Sequence, residues 1–129
     1  MLGALFGFDK RSGSVAEDCL FCKIAAGEIP SKEVYSDDTF YAFEDINPGA
    51  PTHLLIIPRK HIPKISDAES GDTDLLGRML LTANAIAEDA GLTENGFRYV
   101  INCGLHGGQT IDHLHVHILG GRFLAWPPG

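Results

Sequence analysis

The chain is poor in basic residues and has no long apolar run. Ten Lys and Arg stand against seventeen Asp and Glu, a formal net charge of −7, and nowhere do the basic residues cluster. Proteins that follow a phosphate backbone present a basic face, so a nucleic-acid partner is disfavoured; a single small nucleotide can still be held by neutral donors. No apolar stretch approaches the roughly 20 residues that span a bilayer, which argues against a membrane partner. Three cysteines are too few, and odd in number, for a disulfide framework, so a reducing cytoplasm is the expected compartment. Repeats and low-complexity segments are missing too. The opening "MLGALFGFDKRSGSVAEDC" has no basic residue ahead of its apolar head and no clear cleavage site. Residues 1–17 therefore read as a flexible extension in preference to a secretory signal.

What is present fits one domain over residues 18–129. At 129 residues, folding buries roughly two-thirds of the unfolded chain's surface, enough for a single core. "CLFCKIAAGEIP" predicts a short helix ended by Gly27 and Pro30. Two strands, Glu33–Tyr35 and Phe40–Asp45, flank an Asp-Asp turn, "NPGAP" is a loop, and "THLLIIP" is a buried strand. One long helix is predicted from Asp72 to Ala90, with Leu75, Leu76, Met79, Leu80, Ala83, Ile86, Ala87 and Ala90 on one stripe. Asp72 and Asp74 suit its N-terminus and Gly91 its C-terminal cap. "GFRYVINCG" and "TIDHLHVHILGG" complete the strands. Strands on both sides of one main helix, joined by short connections, predict an α+β domain on a mostly antiparallel sheet.

The last of these strands carries the chemistry. His113, His115 and His117 alternate with Leu114, Val116 and Ile118, so the imidazoles share one face and the apolar residues the other. A merely solvated face is one reading. A three-histidine metal site is a second, but strand positions i and i+4 lie about 13 Å apart while zinc–nitrogen bonds are about 2.0–2.1 Å, so the three cannot share one ion. The third reading is nucleophilic catalysis on phosphorus. A neutral imidazole offers its lone pair at pH 7, one neighbour can hold phosphoryl oxygens, and the middle position, His115, has a partner on each side. The preceding "NCGLHGGQT" supports this, since glycines allow close backbone approach and successive amides can form an anion nest.

Taken together, "GEIPSK", "FEDINPGAPTHLLIIPRKHI", "NCGLHGGQT", "HLHVHILGGR" and the terminal "WPPG" give a sequence that resembles the histidine triad superfamily, and within it the Hint branch of nucleotide-binding proteins. The resemblance covers about Asp18 to Gly129. It implies a HIT-like fold and hydrolysis of purine nucleoside 5′-phosphoramidates through a nucleotidyl-histidine on His115. His117 would orient the phosphate and Thr110 would assist the leaving amine. His53 would be an additional histidine near the nucleophile. Asn102, Gly108 and Gln109 would hold phosphate and Asp45 the ribose hydroxyls. Leu20, Phe21, Ile24, Phe43, Ile46 and Leu55 would form the purine pocket, with plain core packing as the alternative for Ile24 and Leu55. It also implies a homodimer with a continuous sheet, across which Trp126 would meet the leaving group. A binding or scaffold protein with incidental activity, or another branch that cleaves dinucleoside polyphosphates, are the competing readings.

Cys19-x-x-Cys22 has the spacing of half a tetrahedral zinc site. A redox motif would instead follow a strand and open a long helix, and this pair precedes a short one. The resemblance supplies two further ligands, His61 and His113, because some histidine triad proteins close a zinc site with the corresponding residues. Other Hint proteins lack both cysteines, so zinc (Zn2+) would be structural and the chemistry would need no cofactor. Cys103 reads as an inert small hydrophobe and His106 as solvent-facing.

Overall fold

The computed structural model describes residues 18–129; the expectation for residues 1–17 lies outside the described residues. Five antiparallel strands form one sheet: β1 (Glu33–Ser36), β2 (Phe40–Glu44), β3 (Thr52–Pro58), β4 (Arg98–Val100) and β5 (Val116–Gly120), in the order β1-β2-β3-β5-β4. A short helix α1 (Leu20–Ala25) and a long helix α2 (Thr73–Asp89) complete the predicted α+β architecture. Among the described residues no helix is long and apolar enough to cross a membrane.

The sheet has two different faces because its central strands alternate two sets of side chains. Phe40, Ala42, Leu54, Ile56, Val116 and Ile118 point to one side, where they pack with Met79, Ala83, Ile86 and Ala87 of α2. Tyr41, Phe43, Leu55 and Ile57 point to the other, where Phe21 and Ile24 of α1 cover them. The expected stripe on α2 is narrower than its sequence suggests: Leu80 is 40% exposed and Ala90 lies at the solvent-facing C-cap. Gly91 ends the helix at φ +77°, so that Leu92 N–H bonds the Ala87 carbonyl at 3.0 Å and Gly91 N–H bonds Glu88 at 2.9 Å. Glycine reaches that left-handed conformation at little cost.

The last strand is shorter than predicted. The ladder between β3 and β5 stops at Ile56↔Val116, leaving His113 and His115 ahead of the assigned strand. Pro58 has no N–H with which to continue it, and the Pro58 carbonyl accepts instead from the His113 ring at 2.8 Å. One backbone bond, Leu114 N–H to Ile62 O at 2.7 Å, holds the preceding segment, and the alternation of faces persists through it. "GFRYVINCG" is likewise a strand only over Arg98–Val100.

Ile56, 0% exposed, sits in the centre of the helix-covered face. Ile56→Ala is expected to cost about 2–5 kcal/mol of stability. Leu81→Ala on the exposed side of α2 should stay within about 0.5 kcal/mol. Urea denaturation midpoints at constant m-value check both.

Candidate active site and metal cluster

The site forms on the face covered by α1, where His115 and His117 meet strand β3. His117 pairs with Leu55 across the ladder, and His53, two residues earlier on β3, lies on the same face. His115 is 6% exposed, edge-on to Phe21 with ring centroids 5.1 Å apart, and 4.9 Å from the His117 ring.

Hydrogen bonds fix which nitrogen of each ring carries the proton. His115 Nδ1–H donates to the His113 carbonyl at 2.7 Å, leaving Nε2 as the lone-pair nitrogen. Gly49 N–H donates to His53 Nδ1 at 2.9 Å, so the proton of a neutral His53 is on Nε2 and is given to His117 Nδ1, also at 2.9 Å. His117 is then an Nε2–H donor. That Nε2 is buried and, among the described residues, is the buried side-chain polar atom with no partner. An orphaned buried donor marks a place where a ligand oxygen completes the structure. Burial first, and then the neighbouring His115 and His53 rings, lower the pKa of His117 to about 4. Burial likewise lowers that of His115. Both rings are therefore neutral at pH 7.

Asp45 lies just past β2, where its N–H extends the ladder to the His53 carbonyl at 3.0 Å. Its carboxylate accepts the Asn47 amide at 2.8 Å and stands 3.4 Å from His53 Nε2. Asp45, His53 and His117 have a spacing that suits a metal ion, but the proton assignment does not. Gly49 N–H occupies the His53 Nδ1 lone pair, which leaves a proton on the very nitrogen that would have to ligate.

Four of the six expected pocket residues, Phe21, Ile24, Phe43 and Leu55, lie in one buried cluster, with Phe21 edge-on to Phe43 at 5.4 Å. Ile46 is 89% exposed and Leu20 40% exposed. Leu20, Thr110, Asp112 and His61 line a cleft of about 440 Å³ beside the cysteines. Asn102 is half-buried and Thr110 exposed, while Trp126 is 80% exposed.

The glycine loop spends several of its donors within the fold. Gly108 N–H is used on the Leu105 carbonyl and Gln109 N–H on Gly104, both at 3.1 Å. The Gln109 side chain accepts from Gly104 N–H and donates to the carbonyls of Pro63 and Ile111. Every donor of Gln109 is thus engaged within the fold, where it braces the loop. Gly107 allows the tight curl, since a Cβ there would meet the Cys103 backbone at 2.6 Å.

The cysteines face the predicted histidines. Cys19 Sγ is 3.2 Å from His113 Nδ1, and Cys22 Sγ is 3.4 Å from His61 Nδ1 and 3.5 Å from His113 Nδ1. The two Nδ1 atoms are 3.2 Å apart, and all four donor atoms lie within 4.8 Å of one another. A tetrahedral zinc with bonds of about 2.0–2.3 Å has edges of about 3.3–3.8 Å, close to these contacts. His113 Nε2–H on the Pro58 carbonyl leaves Nδ1 unprotonated and directed at the sulfurs, the orientation expected of a metal-binding imidazole. The Cys22 thiol, hydrogen-bonded to Cys19, is the foremost cause lowering the Cys19 pKa, and the same bond raises that of Cys22. The four residues fit a zinc ion.

Arg59 was not singled out from the sequence. Its guanidinium bonds the carbonyls of Ala25 and Asp37 and the Ser36 hydroxyl, each at 2.8 Å, tying the end of α1 to the β1–β2 turn. The only signal was its place inside "PRKH", where any surface arginine would look the same.

Residues 26–124 match the HIT domain family. The chain is 49% identical over 111 residues to the purine nucleoside phosphoramidase of Escherichia coli, covering 86% of this chain and 93% of that one. It resembles the crystal structure of a HIT family hydrolase from Legionella pneumophila at a TM-score of 0.86 and 53% identity, covering 87% and 100% of the two chains. A zinc-bound histidine triad family protein from Mycobacterium smegmatis is similar at a TM-score of 0.74 and 29% identity, over 83% and 77%. This chain therefore belongs to the HIT domain family, in its Hint-like branch.

Proposed function

We propose that this protein hydrolyses the P–N bond of purine nucleoside 5′-phosphoramidates. The observation that carries the reading is the pair of opposed nitrogens, His115 Nε2 with a free lone pair and His117 Nε2–H with no partner, on rings 4.9 Å apart. In the first step His115 Nε2 forms a bond to phosphorus and the P–N bond breaks. The amine leaves with a proton drawn from solvent water through the hydroxyl of exposed Thr110. The His113 carbonyl stays on Nδ1–H and stabilises the positive charge that the phosphorylated ring acquires. His117 Nε2–H donates to a phosphoryl oxygen. Water then attacks phosphorus and gives up a proton to solvent, His115 departs with its lone pair restored, and a nucleoside monophosphate is released. The phosphoramidase named among the relatives, at 49% identity, supports this substrate class. Asp45 is assigned to the ribose hydroxyls, Asn102 to phosphate, and the apolar cluster of Phe21, Ile24, Phe43 and Leu55 to the purine, together with exposed Leu20 and Ile46.

His115→Ala should lower AMP release from adenosine 5′-phosphoramidate by about 10³-fold or more while the fold is retained. Equal rates would remove His115 from the role of nucleophile. Binding of AMP without turnover by either protein would favour a nucleotide-binding function.

Cys19, Cys22, His61 and His113 are assigned to a structural zinc, supported by their fit and by the zinc-bound relative. The ion would fix α1 and His113, and no bond-making step passes through it. Protein purified without chelator should contain close to one zinc per chain by elemental analysis, and a strong chelator should lower its Tm. A content well below one per chain would overturn the assignment. The free cysteines of the cluster suit a reducing compartment such as the cytoplasm. A homodimer joined at β4 is supported by that strand's open edge and by exposed Ile101 just past its end, and would bring Trp126 to the partner's leaving group.

The His117 titration gives a pH dependence of stability. Unfolded, the ring takes up a proton near pH 6.5; folded, only near 4. Between these values the unfolded chain binds more protons, so this contribution is complete above pH 6.5 and is lost as pH falls towards 4. Tm measured from pH 7 to 4.5 should fall less steeply in His117→Gln than in the unaltered protein.

A further inference from the structure

The hydrogen bonds that make His117 a donor begin at a backbone amide in a loop. Gly49 N–H sets the His53 tautomer, and His53 sets that of His117. Gly49 is exposed, has no side chain to anchor it, and lies in the "NPGAP" segment between β2 and β3. Displacement of Gly49 would take that N–H off His53 Nδ1 and let the Pro48–Gly49 peptide turn its carbonyl there instead. His53 would then carry its proton on Nδ1, His117 would donate from its own Nδ1, and His117 Nε2 would face the site as a lone pair. A lone pair there repels a phosphoryl oxygen.

The loop is held from outside the site. Arg122 Nη2 donates to the Gly49 carbonyl at 3.0 Å, so Gly49 is gripped on one side by the arginine and on the other by His53. Arg122 stands two residues past the end of β5, the strand that carries His117, and its Nη1 donates to the Phe123 carbonyl at 3.0 Å. The same strand thus supplies the phosphate donor and, through a return contact, the residue that steadies the loop opposite.

We propose that Arg122 is a positioning residue for this site: by holding the Gly49 carbonyl, one peptide beyond the N–H that His53 accepts, it anchors Gly49 in place and so keeps His53 and His117 in their Nε2–H forms and His117 Nε2 a hydrogen-bond donor. The catalytic consequence rests on the phosphoramidase reading above; the tautomer consequence does not. A planar guanidinium that bonds the Gly49 and Phe123 carbonyls with separate nitrogens suits this task better than lysine, which offers a single mobile point charge.

Imidazole 15N NMR distinguishes protonated from bare ring nitrogens and reads the tautomers directly. In the unaltered protein His53 and His117 should both be protonated on Nε2 alone. In Arg122→Met both rings should shift to mixed tautomers. With adenosine 5′-phosphoramidate, kcat should fall about ten- to a hundredfold, as for a misplaced catalytic group, with KM nearly unchanged. Arg122→Lys should restore part of both signals, and as the milder change it preserves the test if the Met variant folds poorly. Either ring protonated on Nδ1 in the unaltered protein overturns the proposal. So does a variant that loses stability or rate while both tautomers stay fixed, for the arginine would then be only structural. If the unaltered protein releases no AMP, the phosphoramidase reading fails while the tautomers still decide the role of Arg122.

Discussion

Three contacts converge on His113, and the fold around the site depends on them. The residue is fully buried, and a buried imidazole must have both nitrogens satisfied. Its Nε2–H is on the Pro58 carbonyl, where the β3–β5 ladder stops. Its Nδ1 faces the two cysteine sulfurs and His61. Its own carbonyl holds His115 Nδ1–H. One residue therefore joins the end of a strand, the helix α1 that carries the cysteines, and the orientation of the neighbouring imidazole. Displacing that ring would disturb all three together.

The sheet explains why such a polar cluster can be buried at all. Strand β3 gives Leu54 and Ile56 to the face beneath α2, where almost every neighbour is aliphatic. It gives His53, Leu55 and Ile57 to the other face, where α1 is only six residues long. A helix that short cannot cover the whole face. Phe21 and Ile24 close one part of it, and the remainder is left to the histidines. The large core beneath α2 supplies the stability, and the smaller cluster beneath α1 leaves room for a site.

Period-two alternation was legible in the sequence and placed the three histidines opposite Leu114, Val116 and Ile118, as the structure has them. The α2 stripe, the order of strands and helices, and the Cys-Cys-His-His grouping were legible as well, the last through the resemblance to a family. What alternation cannot reveal is where a ladder ends, because that depends on a partner strand: Pro58 lies far from His113 in sequence and stops the pairing. Nor could composition show that Gln109 directs its amide inwards, for the carbonyls of Pro63 and Ile111 become its acceptors only after folding. Arg59 and Arg122 act through backbone carbonyls, and a carbonyl leaves no mark in the sequence.

The histidines also show why residue type and spacing alone do not define a metal site. Two clusters of ligating residues lie on the same side of this sheet, each within 4.8 Å. In one, His113 uses its remote nitrogen as a donor to Pro58 and so directs an unprotonated nitrogen inwards. In the other, His53 uses its remote nitrogen as an acceptor from Gly49 and so directs a proton inwards. Reversing the polarity of one outer hydrogen bond converts a ligand into a donor, and with it a metal-binding group into a relay that ends at His117 Nε2. The backbone atoms that the chain places behind each imidazole therefore divide the labour among otherwise identical side chains.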